Sequence, residues 1–543
     1  MKFHILILLF ALTLFQNCQN KPVDETTATT AEVHLGEVNF LPTGLEMAQA
    51  DFRKGLLLLH SFEYDDARDA FLKTQEIDPD FTMAYWGEAM THNHGLWRQQ
   101  DYEAGQAALL KLGETPEVRL AKAATPLEKD LLQATEILYG EGKKKERDQA
   151  YSDYLGQLYQ KYPGNQEIAA FYALSILGAV PVGRDEEAYG KGARIAQGIL
   201  QENPNHPGAL HYLIHSYDDP NHAKLALNAA NSYSKVAPDA GHALHMPSHI
   251  YVALGMWKEV VSSNEASYAA SVSRMQEKEL TNDARGYHAF HWLMYGYLQQ
   301  ERLDDARKIM SDMQNFVTDS SASRARSYLI EMKATYLMET EDWTGVFADL
   351  TAPMTDLNIV TRATHHFTEG MKAFHNKEAT TLANAIKSME ESRETEALLV
   401  TQEGIPMCSA ASNRQAPNQL DLDQAEIMEM QLRGLLAWLQ DDQKTTESWL
   451  KKAVEKNNQI SYAYGPPVIA KPTYELYGEW LLEQGNAEAA MVQYEAALNR
   501  GPKRVKALAG KRKAAEALGD HETIKEVDAL LAEIKQGIEG KSI

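Results

Sequence analysis

Two stretches at opposite ends of the chain carry the same ordered set of residues at the same spacing. Gly55, Leu58, Ala67, Phe71 and Pro79 are matched by Gly478, Leu481, Ala490, Tyr494 and Pro502. Such a recurrence limits the fold more than composition does. Small residues let two antiparallel helices approach, large ones fill the groove between them, and proline stops the second helix. One hairpin cannot bury its apolar face alone, so hairpins of this kind must stack. Further copies begin near Pro207, Gly241 and Tyr287. At 543 residues the chain exceeds what one compact core supports, and it is rich in Ala, Leu, Glu, Gln, Lys and Met, which suits helix rather than sheet.

These spacings resemble the tetratricopeptide repeat (TPR). The expected fold is therefore all-α: a TPR-type helical-hairpin solenoid, which the resemblance implies winds as a right-handed superhelix. The helical period lapses from Thr401 to Asp423, where Pro406, Pro417 and several Ser and Asn fall. That divides an N-terminal solenoid, 45–400, from a C-terminal segment, 424–538, with a loop or break at 401–423.

The N-terminus reads as a signal peptide over residues 1–17: Lys2, an apolar run from Ile5 to Phe15, then Gln16 and Asn17. The run makes only about 16 Å of helix, against a bilayer core of about 30 Å. Cys18 follows directly, which resembles the lipobox of bacterial lipoproteins, although Phe15 and Asn17 replace its usual Leu and small residue. The resemblance implies lipidation of Cys18, a flexible tether over 18–44, and a lipid anchor in the outer membrane. Cys408 is then left without a disulfide partner in the chain.

The formal net charge of -23 argues against nucleic acid as a partner. The local exception, Arg500 to Lys513, reads as a solvated basic helix rather than an anion-docking patch.

Histidines recur with helical spacing in three consecutive repeats: His211 and His215; His242, His245 and His249; His288 and His291. Separations of three and four residues put side chains on one helical face. In the TPR arrangement all seven face the concave groove. Neutral imidazole offers a lone pair to Zn, Fe or Cu, so the seven are candidate metal ligands. Asp218 and Asp219 are placed to bind the ion or orient an imidazole. Without metal, the same residues would line a peptide-binding groove. Pro247 should either kink its helix or start it. Trp86, Met90, His92, His94 and Tyr295 are further groove candidates, with inter-repeat packing as the alternative for Trp86 and Met90.

No catalytic residue is assigned. His211 and His215 enclose Tyr212, Leu213 and Ile214, and His245 and His249 enclose Met246, Pro247 and Ser248, so the zincin motif is absent. Neither a nucleophile elbow nor a phosphate-binding loop is present.

The runs Ala84-Tyr85-Trp86-Gly87-Glu88-Ala89, His211-Tyr212-Leu213-Ile214-His215-Ser216-Tyr217-Asp218-Asp219-Pro220 and His245-Met246-Pro247-Ser248-His249-Ile250-Tyr251 resemble a family of bacterial TPR lipoproteins defined by these motifs rather than by an activity. The resemblance implies a binding or assembly module at the envelope, taking a peptide or protein in its groove and accessory to polysaccharide utilisation. A metal-binding protein or metalloenzyme is the competing expectation.

Overall fold

Antiparallel helical hairpins follow one another along almost the whole chain. The computed structural model describes residues 34–407 and 416–536. The expected signal peptide, Cys18, tether residues 18–33, Cys408 and the end of the C-terminal segment lie outside the described residues. Glu46–His60 pairs with Tyr64–Ile77, Gln166–Gly178 with Glu186–Glu202, Pro207–Ser216 with Ala223–Val236, and Thr473–Glu483 with Ala487–Arg500. Each hairpin packs on the next, giving an all-α TPR-type solenoid. Among the described residues the only sheet is a two-stranded hairpin, Asn93–His94 with Gln99–Gln100.

The repeat's residue types follow from one contact. Phe71, on a second helix, lies between glycines of its own hairpin and the next: a Cβ on Gly55 would come within 2.8 Å of its ring, and one on Gly87 within 2.4 Å. Tyr494 repeats this with Gly478 at 2.9 Å and Gly510 at 2.0 Å. The aromatic ring is thus a spacer whose thickness only glycine accommodates on both sides.

Pro247 starts its helix. Gly241–His245 is a short helix and Pro247–Leu254 a separate one with proline at its first position, where no backbone donor is needed. Met246 between them keeps helical dihedrals, so the two pieces follow one another directly and His245 still meets His249.

Residues 34–44, expected as part of the tether, pack on the solenoid. Leu35 and Phe40 are buried, and the Glu37 amide donates to the Asn205 carbonyl at 2.9 Å. The expected break at 401–423 is shorter at its far end, because Asn418 caps a helix, Gln419–Leu439, in a reciprocal box with Asp421.

The basic run is solvated only in part: Lys503, Lys506, Lys511, Arg512 and Lys513 keep exposure, but Arg504 does not. Arg504 is buried and paired with Glu475 (2.5 Å) and Glu339 (2.5 Å), and it donates to the Tyr295 hydroxyl at 3.0 Å. Trp257 Nε1 donates to the Lys503 carbonyl at 2.9 Å, and Leu508, Val527 and Ile534 join the core of the N-terminal half. The last hairpins therefore fold back across the middle of the array.

Gly510→Val should drive a side chain into the Tyr494 ring and lower stability by about 1–3 kcal/mol, the usual cost of overpacking. The check is urea unfolding monitored by circular dichroism, with Gly198→Val as control because nothing lies near a Cβ there.

Candidate metal centre

The helices Pro207–Ser216, Gly241–His245, Pro247–Leu254 and Tyr287–Gln299 bring six of the seven histidines into contact. Ligand nitrogens of His211, His215 and His242 lie within 4.8 Å of one another, as do those of His245, His249 and His288. The rings form a closed circuit: His211 to His215 at 4.9 Å between centroids, His215 to His249 at 5.1 Å, His249 to His245 at 5.0 Å, His245 to His242 at 6.0 Å and His242 to His211 at 5.0 Å. His291 is not part of it, because its Nε2 bonds Thr335 Oγ1 at 2.8 Å.

The partners of the Nδ1 atoms fix the tautomers. His211 Nδ1 is 2.8 Å from the His60 carbonyl, an acceptor only, so it carries the proton. His215 and His249 direct Nδ1 at the same Asp218 oxygen, at 3.1 and 3.2 Å. His245 Nδ1 donates to Asn264 Oδ1 at 2.7 Å, and that amide is oriented by its own donation to the Val260 carbonyl. In all four an acceptor stands behind Nδ1, which leaves Nε2 on the inward side. The Nε2 atoms of His211, His215 and His242 are buried without a hydrogen-bond partner. Those of His245 and His249 lie 3.1 Å apart, at hydrogen-bond distance from each other.

Burial pushes His211, His242 and His245 well below the usual imidazole range, with neighbouring imidazoles adding to it. Burial likewise lowers His249 to about 4, against the pull of Asp218. These rings stay neutral at physiological pH and keep their lone pairs. Burial alone would raise the Asp218 carboxyl, but the His215 and His249 hydrogen bonds and the Arg184 guanidinium hold it below its ordinary value. Arg184 Nη1 donates to its second oxygen at 2.7 Å. Asp219 serves Arg184 at 3.1 Å and His222 at 2.9 Å rather than the centre.

Aromatic rings wall the centre. Phe62 lies 4.2 Å from His211, Trp292 stacks 4.7 Å from His249, and Tyr464 approaches His249 at 4.6 Å. Tyr464 arrives on the non-helical segment between Asn457 and Thr473. Its neighbour Gly465 adopts a φ of +91° and lies so close to Trp292 that a Cβ would sit 2.3 Å from the ring. Nothing in the repeat pattern points to this cover.

The remaining candidates scatter. His94 stacks on Tyr64 at 3.9 Å. Trp86 packs edge-on against Phe171, Met90 takes a contact from Thr135, and His92 is half-buried. Tyr295 belongs to the Arg504 cluster.

A buried cluster the spacing did not reveal is His60, Glu167 and His206. Its tautomers differ. His206 Nδ1 accepts from the Ala209 amide at 3.2 Å, so its proton lies on Nε2, 3.3 Å from Glu167. His60 Nε2 meets the other Glu167 oxygen at 2.7 Å, and Tyr212 bonds its Nδ1 at 2.8 Å. His60 thus hydrogen-bonds the carboxylate, whereas His206 Nε2 and the Glu167 oxygen it faces make an ion-pair contact without a hydrogen bond. The residues come from three distant helices, and no local motif marks them.

A separate cleft of about 700 Å³ opens in the C-terminal half, on the inward helices Ile359–His375, Gln419–Leu439 and Thr473–Glu483. Trp343, Phe374, His375, Trp438 and Trp480 line it, with Lys513 at one side. Trp343 stacks 4.8 Å from His375, and its buried Nε1 has no hydrogen-bond partner.

No family profile matches the chain, and no curated protein matches it. Among solved structures, the human IFIT1 dimer with m7Gppp-AAAA aligns over 84% of this chain and 89% of its own, at 12% identity and a TM-score of 0.36. Yeast Tom70 aligns over 90% and 99%, at 11% identity and a TM-score of 0.31.

Proposed function

We propose that the protein is a lipid-anchored solenoid of the bacterial outer membrane that binds a transition metal in its histidine centre and a protein partner along its C-terminal cleft. The observation that carries the metal reading is the set of Nδ1 partners: four imidazoles with an acceptor behind Nδ1 and Nε2 on the inward side. Carboxylate and carbonyl groups behind the ring are what orient and strengthen a metal-binding imidazole. A peptide-binding face needs exposure, and His211, His215, His245 and His249 are at most 3% exposed. Zn, Fe and Cu are all compatible with imidazole donors.

Protein purified without a histidine tag should carry about one equivalent or more of a transition metal by plasma mass spectrometry, falling at least about fivefold in His245→Ala/His249→Ala. Under about 0.2 equivalents in both proteins would remove the metal reading.

The cleft supports the interaction role, since it joins several aromatic walls with an unpaired donor, the Trp343 indole. A photo-crosslinking residue at Asp441, on the cleft, should capture a defined envelope partner that the same residue at Leu225, exposed on an outer helix, does not. Equal capture at both positions would take the cleft out of the reading.

The signal-like N-terminus and Cys18 support lipid anchoring, and the motif resemblance supports a role beside a polysaccharide-utilisation system. Cys18→Ser should move the protein from the membrane fraction to the soluble one. Retention of a processed variant in the membrane would refute the anchor.

A further inference from the structure

The centre is divided. His211, His215 and His242 make one trio of ligand nitrogens, and His245, His249 and His288 make another. Asp218 links them, because one of its oxygens accepts from His215 in the first trio and His249 in the second. Both imidazoles use Nδ1 for that link, so Nε2 of each stays available to its own trio.

Two properties limit which ions fit. The first is charge. The donors are neutral imidazoles, and Arg184 contacts both Asp218 and Asp219, so the pair contributes one net negative charge. Divalent ions in both trios would leave a large uncompensated positive charge in a buried site, which is strongly unfavourable; monovalent ions cut it to about a third. The second is coordination number. Phe62 against His211, and Trp292 and Tyr464 against His249, make the walls around both trios mainly carbon. Structural zinc almost always takes four protein ligands, and zinc on three keeps a water in the fourth position, whereas each trio here offers three. Monovalent copper, a d10 ion, accepts three nitrogens in a plane.

We propose that the centre holds a pair of Cu⁺ ions, one on each histidine trio, coupled through Asp218. This inference rests on the metal reading and adds nuclearity, identity and charge to it. The test uses full-length, untagged, metal-free protein under strict anaerobiosis, titrated with Cu⁺ against bicinchoninate and separately with Zn²⁺ against a chromogenic zinc chelator. Wild type should withhold about two equivalents of Cu⁺ and no more than about one of Zn²⁺. His211→Asn/His242→Asn should halve the Cu⁺ taken, and so should His245→Asn/His249→Asn, with melting curves showing that each variant is folded. X-ray absorption of Cu⁺-loaded wild type should give about three nitrogen neighbours per copper and needs no variant. Saturation of wild type at one Cu⁺, uptake of two Zn²⁺, or four or more neighbours per copper would overturn the copper pair while leaving metal binding intact. Failure to bind either ion would overturn the copper pair, and with the as-purified protein also free of transition metal it would overturn both readings.

Discussion

The Asp218 carboxylate is the contact on which the centre's chemistry depends. It accepts from two imidazoles on different helices and is gripped from behind by Arg184. A buried carboxylate must be satisfied by donors, and each donor here pays a second role. Donating from Nδ1 commits the imidazole to present Nε2, so one acidic side chain decides the direction of two lone pairs. The His60 carbonyl and the Asn264 amide do the same for His211 and His245. The centre is organised by what stands behind the rings.

That principle also separates two clusters with nearly the same composition. His60, Glu167 and His206 are as buried as the central histidines, yet His60 hydrogen-bonds the carboxylate and His206 faces it in an ion-pair contact. The result is a clamp between three helices. It has a further effect, because the carbonyl of His60 is the acceptor that sets the His211 tautomer. Residue type and burial alone would have grouped the two sites together; hydrogen-bond direction distinguishes them.

The solenoid was legible in the sequence because its rule is local and repeated: Phe71 and Tyr494 each need glycine on both sides, and that leaves a fixed spacing. The central histidines were legible for the same reason, and Pro247 correctly marked an irregular helix start. His291 shows the limit of such reasoning, since helical phase places a side chain on a face without fixing its rotamer, and Thr335 holds it aside. The packed segment 34–44, the buried Arg504 and the Tyr464 cover were not legible from repeat spacing. Each depends on contacts between residues far apart in sequence, formed when the array turns back on itself.

That return of the chain has a consequence for assembly. The ring that approaches His249 most closely from the C-terminal side belongs to Tyr464, more than two hundred residues downstream, and Gly465 seats it against Trp292 without a side chain in the way. A chain emerging from its N-terminus first has all six imidazoles in hand long before their cover exists. The lone pairs meet solvent during that interval and are sealed only when the last hairpins dock.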